Sequence, residues 1–548
     1  MAMFRTPISL GPLPLLKHGT RRISGPDARM SNIAVAGIIA EVLRTTLGPC
    51  GMNKILVSAR NELQIATSGA AILKEIDKDP AGFRLKHPVA KMMLDAAKMA
   101  AVEVGDGTAT TVVLIGEMLR QAESLLLEGV HPSTIISGYR KAAVKASQLL
   151  DELSSKVDLS DLGTLRNIAA TSMNGRAIGV AKNHFANIAV RAAMQIADKK
   201  AKKNPVDIDH ANIVKKRGKS LLDTELIQGV ILDDNFVVLP SMPKRLRSAK
   251  VALIWCPITI EKTSVNPELR IRTPSDIKMF LSEDRKIFES IVNRIKKCGA
   301  KVVVCQKKEV DDLALHLFAR KGIMVVRRAT EKEMRNLARS TGGKIVMDVN
   351  DFKRSDLGQA QLVEEKKIGI SKMVFVKAGG KTRSVSVLIR GGFERVLEEA
   401  QGAIETAVRV ISEVLKDNRV LPGGGAVEVE IGRRLLQFGM KFPTREQLSI
   451  RAFASSLEVI PRALAENAGL DLNQILTSLR AAHVDASGIS CGVDVARGGV
   501  EDMRKLGVLE PLSVKKYALK IAAETAIMIL RVDDFIAAKK IEVGLTGP

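Results

Sequence analysis

Apolar residues recur three and four positions apart near both ends of the chain, the spacing that places them on one face of an α-helix. The stretches 89–103 and 110–127 follow this pattern, and the sequence after residue 425 is similarly rich in Ala and Leu. In 32–46 the apolar face consists of Ile33, Val35, Ala36, Ile39, Ala40, Val42 and Leu43. Both ends of the chain are therefore predicted to be helical.

The middle of the chain has a different pattern. Short β-branched runs at 251–255, 302–304 and 323–326 are typical of buried strands. Helical patterns at 276–297 and 310–321 separate these runs. Strands that alternate with helices predict an α/β domain. We therefore expect an α/β insert between two helical halves, which together form one discontinuous domain.

The segment 274–295 is a long, mostly polar helix with an apolar stripe. Such a helix either packs against its own domain or projects from it as an arm. The periodicity by itself favours the packed helix.

Composition places the chain among globular proteins. It has 548 residues, of which 46% are hydrophobic and 26% charged, enough for about three domains. No run of about 18 apolar residues occurs, so a membrane span is not expected. Prolines interrupt the apolar residues of 1–16, so that stretch is not interpreted as a signal peptide. The five cysteines form no CxxC pair, which favours reduced thiols in a cytoplasmic protein.

The chain is strongly basic, with a formal net charge of +24. Residues 151–380 contain 43 Lys and Arg against 27 Asp and Glu, so this region carries an excess of 16. Binding of RNA requires aromatic residues for stacking, or a known module, and this region has neither. The excess is therefore interpreted as a solvated or cavity-lining surface, and nucleic-acid binding is not expected.

Three glycine-rich loops, at 47–54, 105–111 and 422–426, adjoin predicted helices. Glycine lets a backbone approach a ligand closely, and the free N–H groups of a helix start attract phosphate. Asp106 in the second loop is a candidate ligand for Mg²⁺. None of the loops is a Walker A sequence. Each alone is more commonly an ordinary turn before a helix, and spacing does not show that they converge.

These residues and others resemble the group II chaperonins, the family of the archaeal thermosome and eukaryotic TRiC. The resemblance covers nearly the whole chain and keeps the family's order and spacing. It is carried by the stretches 45–49 (TTLGP), 105–108 (GDGT), 423–426 (GGGA), 460–471 (IPRALAENAGLD), 507–511 (GVLEP) and 529–534 (ILRVDD).

The resemblance implies a multidomain chaperonin fold with a helical equatorial domain, a small intermediate domain and an α/β apical domain. The implied limits are 1–147 and 417–548 for the equatorial ATP-binding domain and 148–216 and 378–416 for the intermediate domain. The apical, substrate-binding domain covers 217–377. Its helical protrusion, near 265–297, makes the long polar helix a built-in lid.

The resemblance also implies a molecular chaperone that uses ATP and Mg²⁺ to enclose unfolded proteins within two stacked rings. Asp106 is the implied Mg²⁺ ligand. The residues implied to bind nucleotide are Leu47, Gly48, Pro49, Asp106, Gly107, Thr108, Ala109, Thr110, Thr111, Arg176, Gly424, Asp494 and Glu510.

Two positions depart from the family pattern where it has acids that activate the attacking water. Ser68 and Thr406 occupy these positions. Loss of a positioned base typically slows a reaction about 10²–10⁴-fold. Hydroxyl groups hydrogen-bond to water but do not remove its proton near neutral pH. We therefore expect Mg-ATP binding with impaired hydrolysis; the alternative is a retuned but active site.

A subunit with a weak site is useful beside competent neighbours, so the expected partners are other chaperonin subunits in a hetero-oligomeric double ring, together with unfolded clients. Two other functions stay open. In the first, the chain is a mainly structural ring or filament subunit that uses nucleotide only as a ligand. In the second, it binds polyanions.

Overall fold

A computed structural model describes residues 21–57, 63–66, 69, 72, 87–176, 178–197, 206–233, 239–259, 274–306, 310–369, 371–379 and 384–537. Within these residues the chain is organised around three large apolar cores. Two of the cores combine residues that are far apart in sequence.

The described α-helices are α1 (Pro26–Arg44), α2 (Pro88–Glu103), α3 (Thr108–Leu127), α4 (Pro132–Leu153), α5 (Leu162–Ser172), α6 (Lys182–Ile196), α7 (Pro274–Cys298), α8 (Asp312–Arg320), α9 (Glu331–Thr341), α10 (Glu394–Lys416), α11 (Ala426–Gly439), α12 (Glu446–Leu457), α13 (Val459–Asn467), α14 (Leu472–Ala482) and α15 (Leu512–Leu530). Short 3₁₀ helices lie at Gly179–Ala181, Ile208–His210, Leu221–Asp223, Val349–Asp351, Arg354–Asp356 and Ala486–Gly488.

The described strands are β1 (Arg21–Ser24), β2 (Lys54–Val57), β3 (Leu63–Ala66), β4 (Ser155–Lys156), β5 (Ala211–Arg217), β6 (Glu225–Leu232), β7 (Arg245–Ile254), β8 (Val302–Cys305), β9 (Met324–Val326), β10 (Ile345–Val346), β11 (Gly358–Ile368), β12 (Ser371–Ala378), β13 (Val385–Gly391), β14 (Arg419–Pro422), β15 (Cys491–Asp494), β16 (Gly499–Asp502), β17 (Leu509–Pro511) and β18 (Asp534–Ala537).

The first core lies among helices from both ends of the chain. Its buried residues come from 33–153 and 421–530. Helices α3, α4 and α15 contribute long apolar faces, and the Tyr139 ring meets the Phe453 ring edge-on at 5.5 Å. The chain ends also meet, because β1 pairs antiparallel with β18. The two helical regions thus bury one common apolar surface.

The second core, within 230–376, lies against a nine-stranded mixed sheet. The strand order is β5-β13-β6-β12-β11-β7-β8-β9, with β10 beside β7. Strands β8 and β10 pair parallel with β7, and β9 pairs parallel with β8. The pairs β6–β12, β12–β11 and β11–β7 are antiparallel. Helices α7 and α8 connect the parallel strands, as the alternating pattern predicts.

The third core joins residues 165–211 to 385–420. It packs α5, α6 and α10 together with β5 and β13. Because β5 and β13 also belong to the nine-stranded sheet, one sheet extends from the second core into the third. The described residues form a multidomain protein of helical and α/β parts.

Most predicted elements are present with small changes in their limits. The strands predicted at 251–255 and 323–326 are parts of β7 and β9, and the helix predicted at 276–297 is α7. Phe288, Val292 and Ile295 of α7 are buried in the second core, so the C-terminal half of this helix packs against its own sheet. Residues 265–273 of the predicted protrusion lie outside the described residues.

The pattern did not predict the hairpin of β11 and β12. Lys366, Lys367 and Gln359 of β11 are exposed, so this strand lacks the continuous apolar run by which the parallel strands were found. No helix in the described part of the chain is long and apolar enough to cross a membrane.

Candidate functional site

A cleft of about 270 Å³ opens where the first core meets the third. Its wall is formed by loops that follow α1, precede α3, follow α5 and precede α11, together with parts of α10, β15, β17 and α15. All three glycine-rich loops contribute to it. The convergence that the sequence left open is therefore present in the structure.

The first loop follows α1, and hydrogen bonds to its backbone carbonyls hold it in place. The Asn467 side-chain amide donates to the carbonyl oxygens of Arg44 and Leu47, at 3.0 and 2.9 Å. Gly48 has a φ of +80°, and a Cβ there would lie 2.4 Å from Leu464 Cδ2. Only glycine fits this position without displacing Leu464, so the close packing fixes the loop at the edge of the cleft.

The second loop supplies a carboxylate and the start of a helix. The backbone N–H of Gly107 donates to Asp106 Oδ1 at 2.7 Å. Gly107 has a φ of +79° and begins α3 without a side-chain cap. The first-turn N–H groups of an α-helix have no partner within the helix. Those of α3, at Thr108, Ala109 and Thr110, therefore carry the positive end of the helix dipole into the cleft.

Burial raises the pKa of Asp106, and the Gly107 N–H and the charges of Arg176 and Lys515 only partly oppose this rise. The carboxylate thus lies in a place poor in water, where the neighbouring positive charges do not outweigh the effect of burial. A bound cation there would stabilise its ionised form.

A further segment of the wall, 174–176, follows α5 and packs against the first loop. A Cβ at Gly175 would lie 2.7 Å from the carbonyl oxygen of Gly48. The Arg176 guanidinium donates from Nη2 to Thr406 Oγ1 of α10 at 2.8 Å. A Cβ at Gly402 would be only 2.7 Å from Arg176 Nη1, so this small residue leaves room for the guanidinium.

The far wall of the cleft is formed by the turn before α11 and by β15 and β17. Gly424 and Gly425 have φ of +63° and +78°, and a Cβ at Gly424 would lie 2.6 Å from Met503 Sδ. Asp494 is buried, and its Oδ1 accepts from the Ala496 N–H at 2.9 Å. One carboxylate oxygen of Asp494 is thus used to close a turn.

Lys515 is a lining residue that the sequence reasoning missed. Its Nζ lies 2.6 Å from Glu428 Oε1 and 3.0 Å from Glu510 Oε2, and the side chain is almost fully buried. Burial would lower the pKa of Lys515, but the two carboxylates raise it above its ordinary value. Burial also raises the pKa of Glu510, against the effect of Lys515. This lysine therefore enters the cleft as a fixed cation.

Twelve of the thirteen predicted nucleotide-binding residues line this one cleft: Leu47, Gly48, Pro49, Asp106, Gly107, Thr108, Ala109, Thr110, Arg176, Gly424, Asp494 and Glu510. Thr111 is not among the lining residues. It is buried, and its hydroxyl donates to the Gly107 carbonyl at 2.8 Å, which stabilises the first turn of α3. Thr406 lines the cleft, whereas Ser68 lies outside the described residues.

The arrangement is suited to a large anion. Helix-start N–H groups and Arg176 attract negative charge, and the glycines allow the ligand to approach the backbone. Within the described residues, no group of three or more His, Cys, Asp or Glu side chains is placed to hold a metal ion. A divalent cation at Asp106 would thus share its coordination with water and with oxygens of the anion.

Comparison with known proteins identifies the family. Residues 39–540 match the TCP-1/cpn60 chaperonin family. The thermosome subunit of Methanopyrus kandleri is 44% identical over 527 residues, which cover 96% of this chain and 95% of that protein. The thermosome subunit beta of Thermococcus kodakarensis is 45% identical over 536 residues, 98% of this chain and 96% of that protein. The thermosome subunit alpha of Archaeoglobus fulgidus is 42% identical over 531 residues, 97% and 96% of the two chains.

The matched region includes the loops of the cleft, both helical ends and the sheet between them. The chain therefore belongs to the TCP-1/cpn60 chaperonin family: it is a group II chaperonin subunit of the thermosome kind, and its function is that of a chaperone.

Proposed function

We propose that this subunit binds Mg-ATP in the cleft between its glycine loops and hydrolyses it slowly. The observation that carries the proposal is the meeting of the uncapped start of α3, Asp106 and Arg176 in one cleft. A nucleoside triphosphate needs hydrogen-bond donors for its phosphate oxygens and a site for the Mg²⁺ that accompanies it.

In this proposal the first-turn N–H groups of α3 and the Arg176 guanidinium hold the phosphates. Asp106 anchors Mg²⁺, which when bound neutralises charge on the phosphate oxygens. Leu47, Gly48 and Pro49 contact the nucleotide along one edge of the cleft. Gly424, Asp494 and Glu510, on the far wall, surround the base and ribose.

Slow hydrolysis follows from the roles of the carboxylates in the cleft. Among the described lining residues the carboxylates are Asp106, Asp494 and Glu510. Asp106 is assigned to the cation, Asp494 Oδ1 closes a turn, and Glu510 pairs with Lys515. At 406 the cleft presents a hydroxyl that already accepts from Arg176. In this proposal each of these groups already has a role in binding or packing, and none is assigned to take a proton from an attacking water.

Phosphate release from the purified chain tests the proposal. We expect Mg-dependent nucleotide binding with little turnover. The double variant S68D/T406D introduces a carboxylate at each departing position and is expected to raise the turnover about 10²–10⁴-fold. The matched control S68N/T406N has side chains of the same shape that cannot accept the proton, and its turnover should stay low.

Two results would contradict different parts of the proposal. Rapid turnover by the unsubstituted chain, free of partner subunits, would show that hydrolysis is not impaired. Loss of Mg-dependent binding to a fluorescent ATP analogue is expected for D106N. Unchanged Mg-dependent binding by D106N would show that Asp106 does not hold the cation.

We also propose the domain limits given above, with an equatorial domain (1–147 and 417–548), an intermediate domain (148–216 and 378–416) and an apical domain (217–377). The proposed protrusion near 265–297 includes α7. The three cores support this division, because each lies within one proposed domain except for Leu149, Leu150 and Leu153 of the first core and Val420 of the third, which lie near the limits. Limited proteolysis should cut first in the loops nearest the limits, such as 158–161, 218–220 and 417–418; initial cuts inside the cores would contradict the limits.

The proposed partners are other chaperonin subunits in a hetero-oligomeric double ring in the cytoplasm, and unfolded clients. The pairs β1–β18 and β2–β3 are two separate two-stranded sheets, whose outer strand edges are open to pairing within the described residues. On β2, Ile55 and Val57 are 65% and 50% exposed. Negative-stain imaging of the chain mixed with thermosome-like subunits should show double rings that contain it, and rings that exclude it would contradict this assignment.

A further inference from the structure

Six cationic side chains lie along the edge of the nine-stranded sheet where β8 and β9 begin. We call them the basic edge: Lys250, Lys296, Lys297, Lys301, Arg320 and Lys321. All but Lys250 are exposed. They are spread over 72 positions of sequence, so the fold and not a local charge run brings them together.

Backbone contacts establish that the six share one edge. The Lys301 N–H donates to the Lys250 carbonyl at 2.9 Å, and the Met324 N–H donates to the Lys301 carbonyl at 3.0 Å. A Cβ at Gly299 would lie 3.8 Å from Lys250 Nζ, which places that ammonium beside the end of α7. Helix α8 ends at Arg320, and Lys321 comes three residues before Met324.

None of the six has an ion-pair partner within the described part of the chain. The segment 351–356, which contains acidic residues, lies beside α7 because Cys298 Sγ contacts the Phe352 carbonyl. It contains Asp351 and Asp356 but also Lys353 and Arg354, so its formal charge is zero. The positive charge of the edge is left without compensation.

Helix stability explains only part of this cluster. Lys296, Lys297 and Arg320 lie in the last turns of α7 and α8, where a cation interacts favourably with the helix dipole. Lys321 is the C-cap of α8 and the Lys250 ammonium lies beside the end of α7, whereas Lys301 precedes β8 and gains nothing from a helix end. Since like charges repel one another, their collection at one edge suggests a negatively charged partner.

The chemistry of the edge selects the kind of partner. Five of the six cations are lysines, whose flexible point charges do not impose bidentate geometry. Lysine is depleted in stable protein interfaces, where arginine is enriched. The edge has no aromatic side chain on which bases stack. A second copy of this chain, with its own charge of +24, would be repelled.

We propose that the basic edge binds acidic segments of non-native polypeptides. This rests on the proposed client binding and specifies which clients the subunit prefers. Loosely placed lysines accept carboxylates in many arrangements, which suits a segment without fixed structure. The attraction acts over about 10 Å at 0.1 M salt and falls as salt rises.

The test compares two charge-matched quadruple variants of the full chain. The edge variant is K296Q/K297Q/K301Q/K321Q. The control, K244Q/K332Q/K367Q/K372Q, removes the same charge from exposed positions elsewhere around the same sheet. The probes are a fluorescent, permanently unfolded acidic polypeptide and the same polypeptide with its Asp and Glu changed to Asn and Gln.

Exposed ion pairs each change affinity by a small factor, so the edge variant is expected to bind the acidic probe about tenfold more weakly at low salt. The control should stay within about twofold, and the amide probe should bind both variants like the unsubstituted chain. High salt should remove the difference between the variants.

Equal losses in the edge and control variants would overturn the proposal, since the effect would then be one of net charge. Binding of a single-stranded oligonucleotide more tightly than the acidic probe, with loss in the edge variant alone, would assign the edge to nucleic acid. If the unsubstituted chain bound neither polypeptide, client binding itself would fail and this inference with it.

Discussion

A buried charge cluster beside the first core and the basic edge of the sheet-bearing middle hold their charged side chains in opposite ways. In the buried cluster the charges have fixed partners, as with Lys515 between Glu428 and Glu510. Along the basic edge, all the cations but Lys250 are exposed, and none has an ion-pair partner among the described residues. A buried charge without a partner is costly, whereas a solvated one is not. Charges in the first region therefore hold the fold, and those in the second are available to other molecules.

The largest effect is expected from K515M. It leaves the buried Glu428 and the partly buried Glu510 without their cation, which should destabilise the helical region by about 3–5 kcal/mol. The single tryptophan, Trp255, follows β7 beside the second core, so its fluorescence reports on that core, whereas circular dichroism is dominated by the helices of the other two cores. In urea, K515M should shift the circular-dichroism transition and leave that of Trp255 in place.

The neighbouring residue supplies the control. Lys516 Nζ pairs with Asp151 Oδ2 at 2.6 Å, but both side chains are more than a third exposed. K516M should therefore change the stability by only about 0–1 kcal/mol. Equal shifts for K515M and K516M would contradict the distinction between buried and exposed charge.

A smaller effect is expected from E430Q. Glu430 is fully buried, and its carboxylate accepts from Arg433 and Arg434 and lies 3.2 Å from His483 Nδ1. Burial raises the pKa of Glu430, but His483, Arg433 and Arg434 together lower it to about 2. Its ionised form therefore stabilises the fold above the unfolded pKa, near 4.5, and this stability is lost as pH falls through about 2.

The variant should be less stable at pH 7 by about 1–3 kcal/mol, because buried donors lose a charged partner. Between pH 4.5 and 2 its stability should fall less steeply than that of the unsubstituted chain. Urea unfolding by circular dichroism over this pH range measures both. Parallel curves would show that Glu430 does not titrate with the assigned pKa.

The smallest effect is expected in α7. Arg285 Nε lies 2.9 Å from Glu289 Oε1 one turn later, and both side chains are exposed. R285A should change the stability of the second core by no more than about 0.5 kcal/mol, as for other exposed helical pairs. The urea transition of Trp255 fluorescence is the measurement. A decrease in the free energy of unfolding above about 1 kcal/mol would contradict this prediction, because an exposed pair would then stabilise the fold as much as a buried one.

The sequence predicted best what depends on local pattern. Helices α2 and α3 follow directly from their apolar periodicity, and β8 from its β-branched run. Strand β11 was not predicted, because its sequence, GQAQLVEEKKI, mixes charged and apolar residues. Its place in the sheet depends not only on the hairpin with β12 but also on pairing with β7, whose paired residues are 107 to 119 positions away.

The site shows the same limit. Glycine loops beside helices marked much of the cleft wall in advance, since both features are local. The hydrogen bond from Arg176 to Thr406 joins residues 230 positions apart, which no local pattern reports. Lys515 and Lys516 are identical neighbours in sequence, yet one is buried in the cleft and the other is half-exposed. The two side chains differ only in the direction in which they leave α15, which is packed on one side.

The approach of Gly175 to the Gly48 carbonyl determines how motion passes between the first and third cores. Two peptide backbones meet there with no side chain between them. A side chain in contact can change rotamer and absorb a shift of one surface against another, whereas a peptide plane cannot. A displacement of α5 would therefore press directly on the loop after α1 and change the width of the cleft.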